Sequence, residues 1–191
     1  MKGRFDKCER LLDAGCGTGA LALQAALRGA EVVAIDLSPT LVKLAAERMA
    51  AEHPTLPGSV EFLSGDMLSP DLGEFDHVVA MDSLIHYDLP DLVAALGALA
   101  PRVREKMLIT VVPGTPMLVA MRAIGRLFPK SDRAPAIVPV SERAFRTALL
   151  GSPRLDTWGM VGTRLVERGF YRSMAIALHH SSVGTTNPSR R

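Results

Sequence analysis

Asp13-Ala14-Gly15-Cys16-Gly17-Thr18-Gly19, followed by the hydrophobic run Val32-Val33-Ala34-Ile35-Asp36, is the stretch that decides the fold. It describes a strand, a tight glycine turn, a helix, and a second strand that ends in a carboxylate. Such a unit cradles a nucleoside. Glycines let backbone N–H groups approach the ligand, and the acid accepts hydrogen bonds from ribose hydroxyls.

Outward from this unit the chain keeps the same rhythm. Leu11–Asp13 reads as the end of a buried strand and Thr18–Arg28 as a helix, with Ala20, Leu23 and Leu27 on its apolar face and Gly29 as its stop. Ser38-Pro39 starts a second helix, because serine caps free N–H groups and proline fits a first turn. Its stripe is Leu41, Val42, Ala45, Ala46 and Met49. Val60–Leu63 and Phe75–Met81 are further strands. A helix bearing Leu89, Leu92, Val93 and Leu96 leads to a fifth strand, Met107–Val112. Strands alternating with helices predict a parallel sheet covered on both faces. Beyond it lie an apolar helix over Met117–Phe128, a Pro- and charge-rich stretch to Pro139, a helix near Ser141–Leu150, and a closing strand pair at about Thr157–Leu165 and Gly169–Leu178. Trp158 and Phe170 read as core. The polar residues 181–191 read as a disordered tail.

Composition narrows the class. With 191 residues the chain is long enough for one well-buried domain, and a net charge of +2 makes no case for a nucleic-acid partner. No apolar run reaches the ~20 residues of a bilayer span. Cys8 and Cys16 have no metal-ligand spacing, so no metal site is expected. Without a signal peptide the reducing cytoplasm is the default setting.

Gly15-x-Gly17-x-x-Ala20 also fits the looser dinucleotide fingerprint of a dehydrogenase. Two acids argue against that. Asp13 at the tip of the first strand would repel a pyrophosphate but attract the amino group of a methionine-derived cofactor. Gly65-Asp66 ends the third strand, where the acid can accept from an adenine amino group. The set Asp13-x-Gly15-x-Gly17-x-Gly19, Asp36 and Gly65-Asp66 resembles the class I S-adenosylmethionine-dependent methyltransferases. That resemblance implies a Rossmann-like α/β fold: a mostly parallel seven-stranded sheet with a C-terminal antiparallel hairpin and helices on both faces. It implies that the cofactor is held by Asp13, Gly15, Cys16, Gly17, Gly19, Asp36, Leu37, Asp66, Met67, Met81 and Asp82. Cys16 reads as no more than a small residue in the turn.

A narrower resemblance rests on Val79-Ala80-Met81-Asp82-Ser83-Leu84-Ile85-His86-Tyr87, on Leu127-Phe128-Pro129-Lys130-Ser131-Asp132-Arg133-Ala134-Pro135, and on Gly169-Phe170-Tyr171. Together they resemble the magnesium-protoporphyrin IX O-methyltransferases. Residues 1–180 would then be the methyltransferase domain, with 116–180 its porphyrin-specific C-terminal region. The implied activity is methylation of one propionate of the magnesium porphyrin during (bacterio)chlorophyll biosynthesis. A propionate of pKa ~4–5 is already ionised at neutral pH and needs no strong base. A cation clamped on the reacting carboxylate would stabilise the ground state more than the charge-neutralised transition state. Arg122, Arg126, Lys130 and Arg133 are therefore candidates for the other propionate. His86 is the candidate neutral donor, with axial ligation of the porphyrin magnesium and a plain loop histidine as the other readings. Tyr87, the second catalytic candidate, either stacks on the macrocycle or packs. The helix Met117–Phe128 either lines a flat pocket with Met117, Leu118, Met121, Ile124 and Phe128 or simply covers the sheet.

The resemblance further implies an N-terminal helical arm, for which only Met1–Arg10 stand before the first strand. The expectation is an upstream start or a degenerate, non-catalytic copy that binds porphyrin or cofactor. Another small-molecule acceptor is the remaining alternative. The implied partners are magnesium-protoporphyrin IX and the porphyrin-binding subunit of magnesium chelatase, which would hand it over. Location would be cytoplasmic, with at most peripheral attachment to the photosynthetic membrane.

Overall fold

A computed structural model describes residues 9–114, 138–168 and 171–181. The strands are β1 (Arg10–Ala14), β2 (Glu31–Asp36), β3 (Ser59–Ser64), β4 (Phe75–Ala80), β5 (Val103–Pro113), β6 (Pro139–Val140), β7 (Trp158–Arg168) and β8 (Tyr171–His180). The helices are α1 (Ala20–Ala26), α2 (Pro39–Glu52), α3 (Leu89–Leu99) and α4 (Glu142–Leu150). The sheet order is β3-β2-β1-β4-β5-β8-β7. The pairs from β3 to β5 are parallel, and β8 runs antiparallel to both β5 and β7. This is the expected mixed sheet with a closing hairpin, plus one strand more. Pro139 and Val140 pair in parallel with Val112 and Pro113 off the main path. Two residues, one of them proline, carry no periodic signal from which that pairing could be read.

Alternation along the strands feeds two cores. Leu12, Val33, Ile35, Val78, Met107 and Ile109 face one side, where Leu92, Leu96 and Leu99 of α3 and Phe145 and Leu149 of α4 bury them. Trp158 completes this core at 4% exposure. Leu11, Val32 and Ala34 face the other side, against α1. With both faces of β1 and β2 covered, the strands read as unbroken apolar runs.

One expectation is corrected. The face of α1 that meets the sheet is Ala22, Ala25 and Ala26, whereas Ala20 is exposed and Leu27 is 41% exposed. Alanines at i, i+3 and i+4 let the helix lie close on the strands, so the larger leucines turn outward. On α2 only Val42 and Ala45 of the expected stripe are fully buried. The capping logic holds at three starts. Ser38 Oγ accepts from Leu41 N at 3.4 Å, Asp88 Oδ1 from Asp91 N at 3.1 Å, and Ser141 Oγ from Ala144 N at 3.1 Å.

The helix expected over Met117–Phe128, with Arg122, Arg126, Lys130 and Arg133 in and after it, lies outside the described residues. So do Cys8, Phe170, the segment before residue 9 and the tail from residue 182. No helix among the described residues is long and apolar enough to cross a membrane.

Candidate functional site

β1 pairs with β2 on one side and β4 on the other, so the strand order reverses beside β1. Connections leaving the strand ends there diverge and open a crevice, the usual ligand position in such sheets. The turn after β1 forms one wall. Gly15 and Cys16 donate their N–H groups to Ile35 O at 2.8 and 3.0 Å, which staples the turn to β2. Gly17 donates to Asp36 Oδ2 at 2.9 Å, and Asp36 Oδ1 accepts from Ser38 N at 2.8 Å. Asp36 thus braces the glycine turn against the start of α2. Each of its oxygens retains capacity for another donor. At Gly17 (φ +52°) no atom lies within 4 Å of where a Cβ would stand, so the backbone there faces open space.

The segment after β4 forms the opposite wall. A Cβ on Gly15 (φ +87°) would stand 2.3 Å from Ser83 Cβ. Only glycine lets the two walls meet this closely. Ser83 Oγ donates to Ala14 O at 2.7 Å and fastens them together. Asp82 sits beside Ser83 with φ +56°, in the left-handed region. Thr110 of β5 holds it there, accepting from Asp82 N at 2.8 Å and donating to Asp82 Oδ1 at 3.0 Å.

Between the walls lies a cleft of about 370 Å³. Its lining includes three carboxylates, those of Asp13, Asp36 and Asp82, and no Lys, Arg or His among the described residues. Asp13 is only 1% exposed, and its Oδ2 has no hydrogen-bond partner among the described residues. Burial pushes its pKa up to about 7; the Ala22 N–H opposes the rise and the Asp36 charge adds to it. Burial, reinforced by Asp13 and Asp36, pushes the Cys16 thiol up to about 12. The thiol therefore stays protonated and is no nucleophile. An orphaned buried carboxylate, open space at Gly17 and charged lining residues that are all acids together fit a ligand that brings a positive charge.

Of the residues singled out in the sequence, Asp13, Gly15, Cys16, Gly17, Asp36, Met81 and Asp82 line this cleft. Gly19 does not. It starts α1 with φ +75°, against Phe62 and Ala45. Leu37 is 80% exposed beyond Asp36. Asp66 closes a turn, with Oδ1 accepting from Leu68 N at 2.9 Å, and Met67 packs against the larger core. His86 is exposed in the turn before α3, where Tyr87 N donates to Leu84 O at 3.1 Å. Tyr87 packs against the larger core. Thr18, Ala20, Leu21 and Ser83 also line the cleft, and Thr110 stands behind Asp82, without having been singled out from the sequence as site residues. For Thr110 a signal existed: a hydroxyl inside an apolar strand needs a partner.

The chain matches the description "Magnesium-protoporphyrin IX methyltransferase C-terminus" over residues 80–180, and "Methyltransferase domain" over residues 11–106. It is 48% identical over 130 residues to the magnesium-protoporphyrin O-methyltransferase of Rhodobacter capsulatus, covering 68% of this chain and 57% of that protein. It is 33% identical over 159 residues to the chloroplastic magnesium protoporphyrin IX methyltransferase of Arabidopsis thaliana, covering 82% and 47%. The chain thus spans about half the length of these curated relatives. The crystal structure of magnesium protoporphyrin IX methyltransferase from Synechocystis PCC 6803 with bound SAH superposes with a TM-score of 0.75 at 26% identity, over 92% of this chain and 75% of that one. A site at the switch point of the sheet and matches that run from the first strand to the last lead to one assignment. The chain belongs to the magnesium-protoporphyrin IX methyltransferase family.

Proposed function

We propose that this chain methylates one propionate carboxylate of magnesium-protoporphyrin IX, giving the monomethyl ester in (bacterio)chlorophyll biosynthesis. When bound, S-adenosylmethionine supplies an electrophilic methyl group on a sulfonium. The observation that carries the reading is the family match across residues 80–180, which begins at the lip of the acidic cleft.

Each wall then has a role. Asp13 Oδ2, buried and unpaired, accepts from the ammonium of the cofactor. Asp36 offers its spare lone pairs to ribose hydroxyls while keeping the glycine turn in place. Met81 and Asp82 form the lip over the reacting methyl. Asp66 takes the adenine amino group, flanked by Leu37 and Met67. No residue has to remove a proton, because the propionate arrives ionised at neutral pH, with a pKa of ~4–5. The work is orientation, which can lower such a barrier by ~7–11 kcal/mol. His86, exposed in the turn that follows the lip, orients the reacting carboxylate as a neutral donor, with Tyr87 beside it. Arg122, Arg126, Lys130 and Arg133 hold the unreacted propionate. The porphyrin is handed over by the porphyrin-binding subunit of magnesium chelatase, and the protein attaches at most peripherally to the photosynthetic membrane.

The test incubates the chain with methyl-labelled S-adenosylmethionine and, separately, magnesium-protoporphyrin IX, metal-free protoporphyrin IX and a phenolic acceptor. Labelled porphyrin monomethyl ester, identified by mass spectrometry, is the expected product. Label on the phenol alone would make the chain a methyltransferase of another acceptor class. Porphyrin binding without any label transfer would make it a non-catalytic carrier.

A further inference from the structure

Among the described residues, Asp82 alone combines a side chain with a positive φ. Such a backbone is disfavoured and persists where surrounding structure enforces it. Among the described residues, one hydroxyl meets Asp82 at two of its atoms. Thr110 is 8% exposed, between the fully buried Ile109 and Val111, and its Oγ1 both accepts from Asp82 N at 2.8 Å and donates to Asp82 Oδ1 at 3.0 Å. The next residue is fixed as firmly: Ser83 Oγ donates to Ala14 O at 2.7 Å, and its Cβ leaves no room for a side chain at Gly15. Residue 82 is therefore tied to β5 and residue 83 to β1. The lip spans the two strands that flank β4.

We propose that Thr110 is a positioning residue, whose hydroxyl presets Asp82 in its left-handed conformation so that the lip of the cleft is shaped before the cofactor arrives. This rests on the reading that the cleft takes S-adenosylmethionine. A buried hydroxyl in an apolar strand is costly unless paired, and the pairing here goes to the strained residue at the cleft. Preorganisation of this kind improves binding by removing the ordering cost at the moment of association. Thr110 itself is not among the residues that line the cleft and acts through Asp82.

The test compares Thr110→Val, which keeps the shape and removes the hydroxyl, with Thr110→Ser, which keeps the hydroxyl. Amide exchange in the ligand-free chain should show Asp82 N–H protected in the unaltered protein and in Thr110→Ser, and unprotected in Thr110→Val. Calorimetric titration with S-adenosylmethionine should show binding weakened on the order of 10-fold in Thr110→Val and restored in Thr110→Ser. Asp82→Ala, which removes the carboxylate from the lip, should weaken binding at least as much. Thr110→Val/Asp82→Ala should bind no worse than Asp82→Ala alone. Retained Asp82 protection or unchanged affinity in Thr110→Val would overturn the inference. So would failed rescue by serine, or losses that add in the double variant. An unaltered chain that shows no heat with S-adenosylmethionine overturns the functional reading instead, and the ligand-free exchange data still report on the Thr110–Asp82 contact.

Discussion

Asp13 should make the ligand-free protein less stable as pH rises, and replacing it with asparagine should remove that dependence. The residue is 1% exposed, one of its oxygens has no hydrogen-bond partner among the described residues, and its pKa rises to about 7, chiefly through burial. In the unfolded chain the same group ionises near its ordinary value of 3.8. Between these two values the native state holds a proton that the unfolded state has lost, so the unfolding free energy falls with increasing pH. The slope is about 1.4 kcal/mol per pH unit, and the full window amounts to about 4 kcal/mol. This contribution is favourable below the lower value and is lost as pH climbs through about 7. Urea unfolding of the unaltered chain and of Asp13→Asn at several values from pH 5 to pH 8 isolates it. The stability difference should shift by about 3 kcal/mol in favour of the asparagine variant across that range. Parallel pH profiles would refute the burial of the Asp13 carboxyl as the source of its raised pKa. A cationic ligand reverses the sense: it draws Asp13 into the ionised form, so binding below pH 7 should release a proton. Titrations in buffers of different ionisation heat count that proton, and it should be missing in Asp13→Asn.

Three further outcomes follow from the walls of the cleft. Gly15→Ala puts a side chain on a φ of +87° and a carbon 2.3 Å from Ser83 Cβ. The left-handed backbone alone should cost about 1–2 kcal/mol. The melting temperature and the affinity for S-adenosylmethionine should both fall, and an unchanged pair would contradict the close approach of the walls. Asp36→Ala deletes the acceptor of two backbone N–H groups, with a stability loss of about 2 kcal/mol by chemical denaturation. Its cofactor dissociation constant should rise; a constant equal to that of the unaltered chain would remove Asp36 from the ribose site. His86→Ala should lower turnover and leave cofactor affinity intact, since His86 is exposed and lies outside the cleft lining. Equal loss of both would make the residue structural.

What the sequence made legible is local and strongly patterned. Glycines at 15, 17 and 19 between two apolar strands dictate the turn. Ser38-Pro39 dictates the start of α2. Neither depends on a distant partner. The face of α1 was misread because large apolar residues are the usual sign of burial, whereas close approach of a helix to a sheet selects Ala22, Ala25 and Ala26. The Thr110–Asp82 contact was illegible for a different reason. Its partners stand 28 residues apart and meet only because β4 and β5 pair with Ala80 opposite Ile109. That register follows an irregularity between Phe75 and His77, which shifts every later pairing and which no residue type announces. Asp36 was legible as an acid at a strand end. That its two oxygens already serve Gly17 and Ser38 required the folded turn.

That last detail separates the two cofactor classes that the glycine pattern alone leaves open. A dinucleotide site directs free N–H groups of its glycine turn at a pyrophosphate, aided by the N-terminus of a following helix. Here the Gly17 N–H is donated to Asp36, those of Gly15 and Cys16 to Ile35 O, and that of Gly19 to Cys16 O. Those four N–H groups are used within the fold, and the charged side chains that line the cleft are carboxylates. A phosphate held ~5 Å from an ionised one of them would meet a repulsion of about 3 kcal/mol at an effective dielectric of ~20, and Asp36 and Asp82 line the cleft beside Asp13. The same field attracts an ammonium and a sulfonium. Burial is the main cause that raises the Asp13 pKa in the empty protein, with the Asp36 charge adding to it, and an ammonium placed beside Asp13 would lower it on binding.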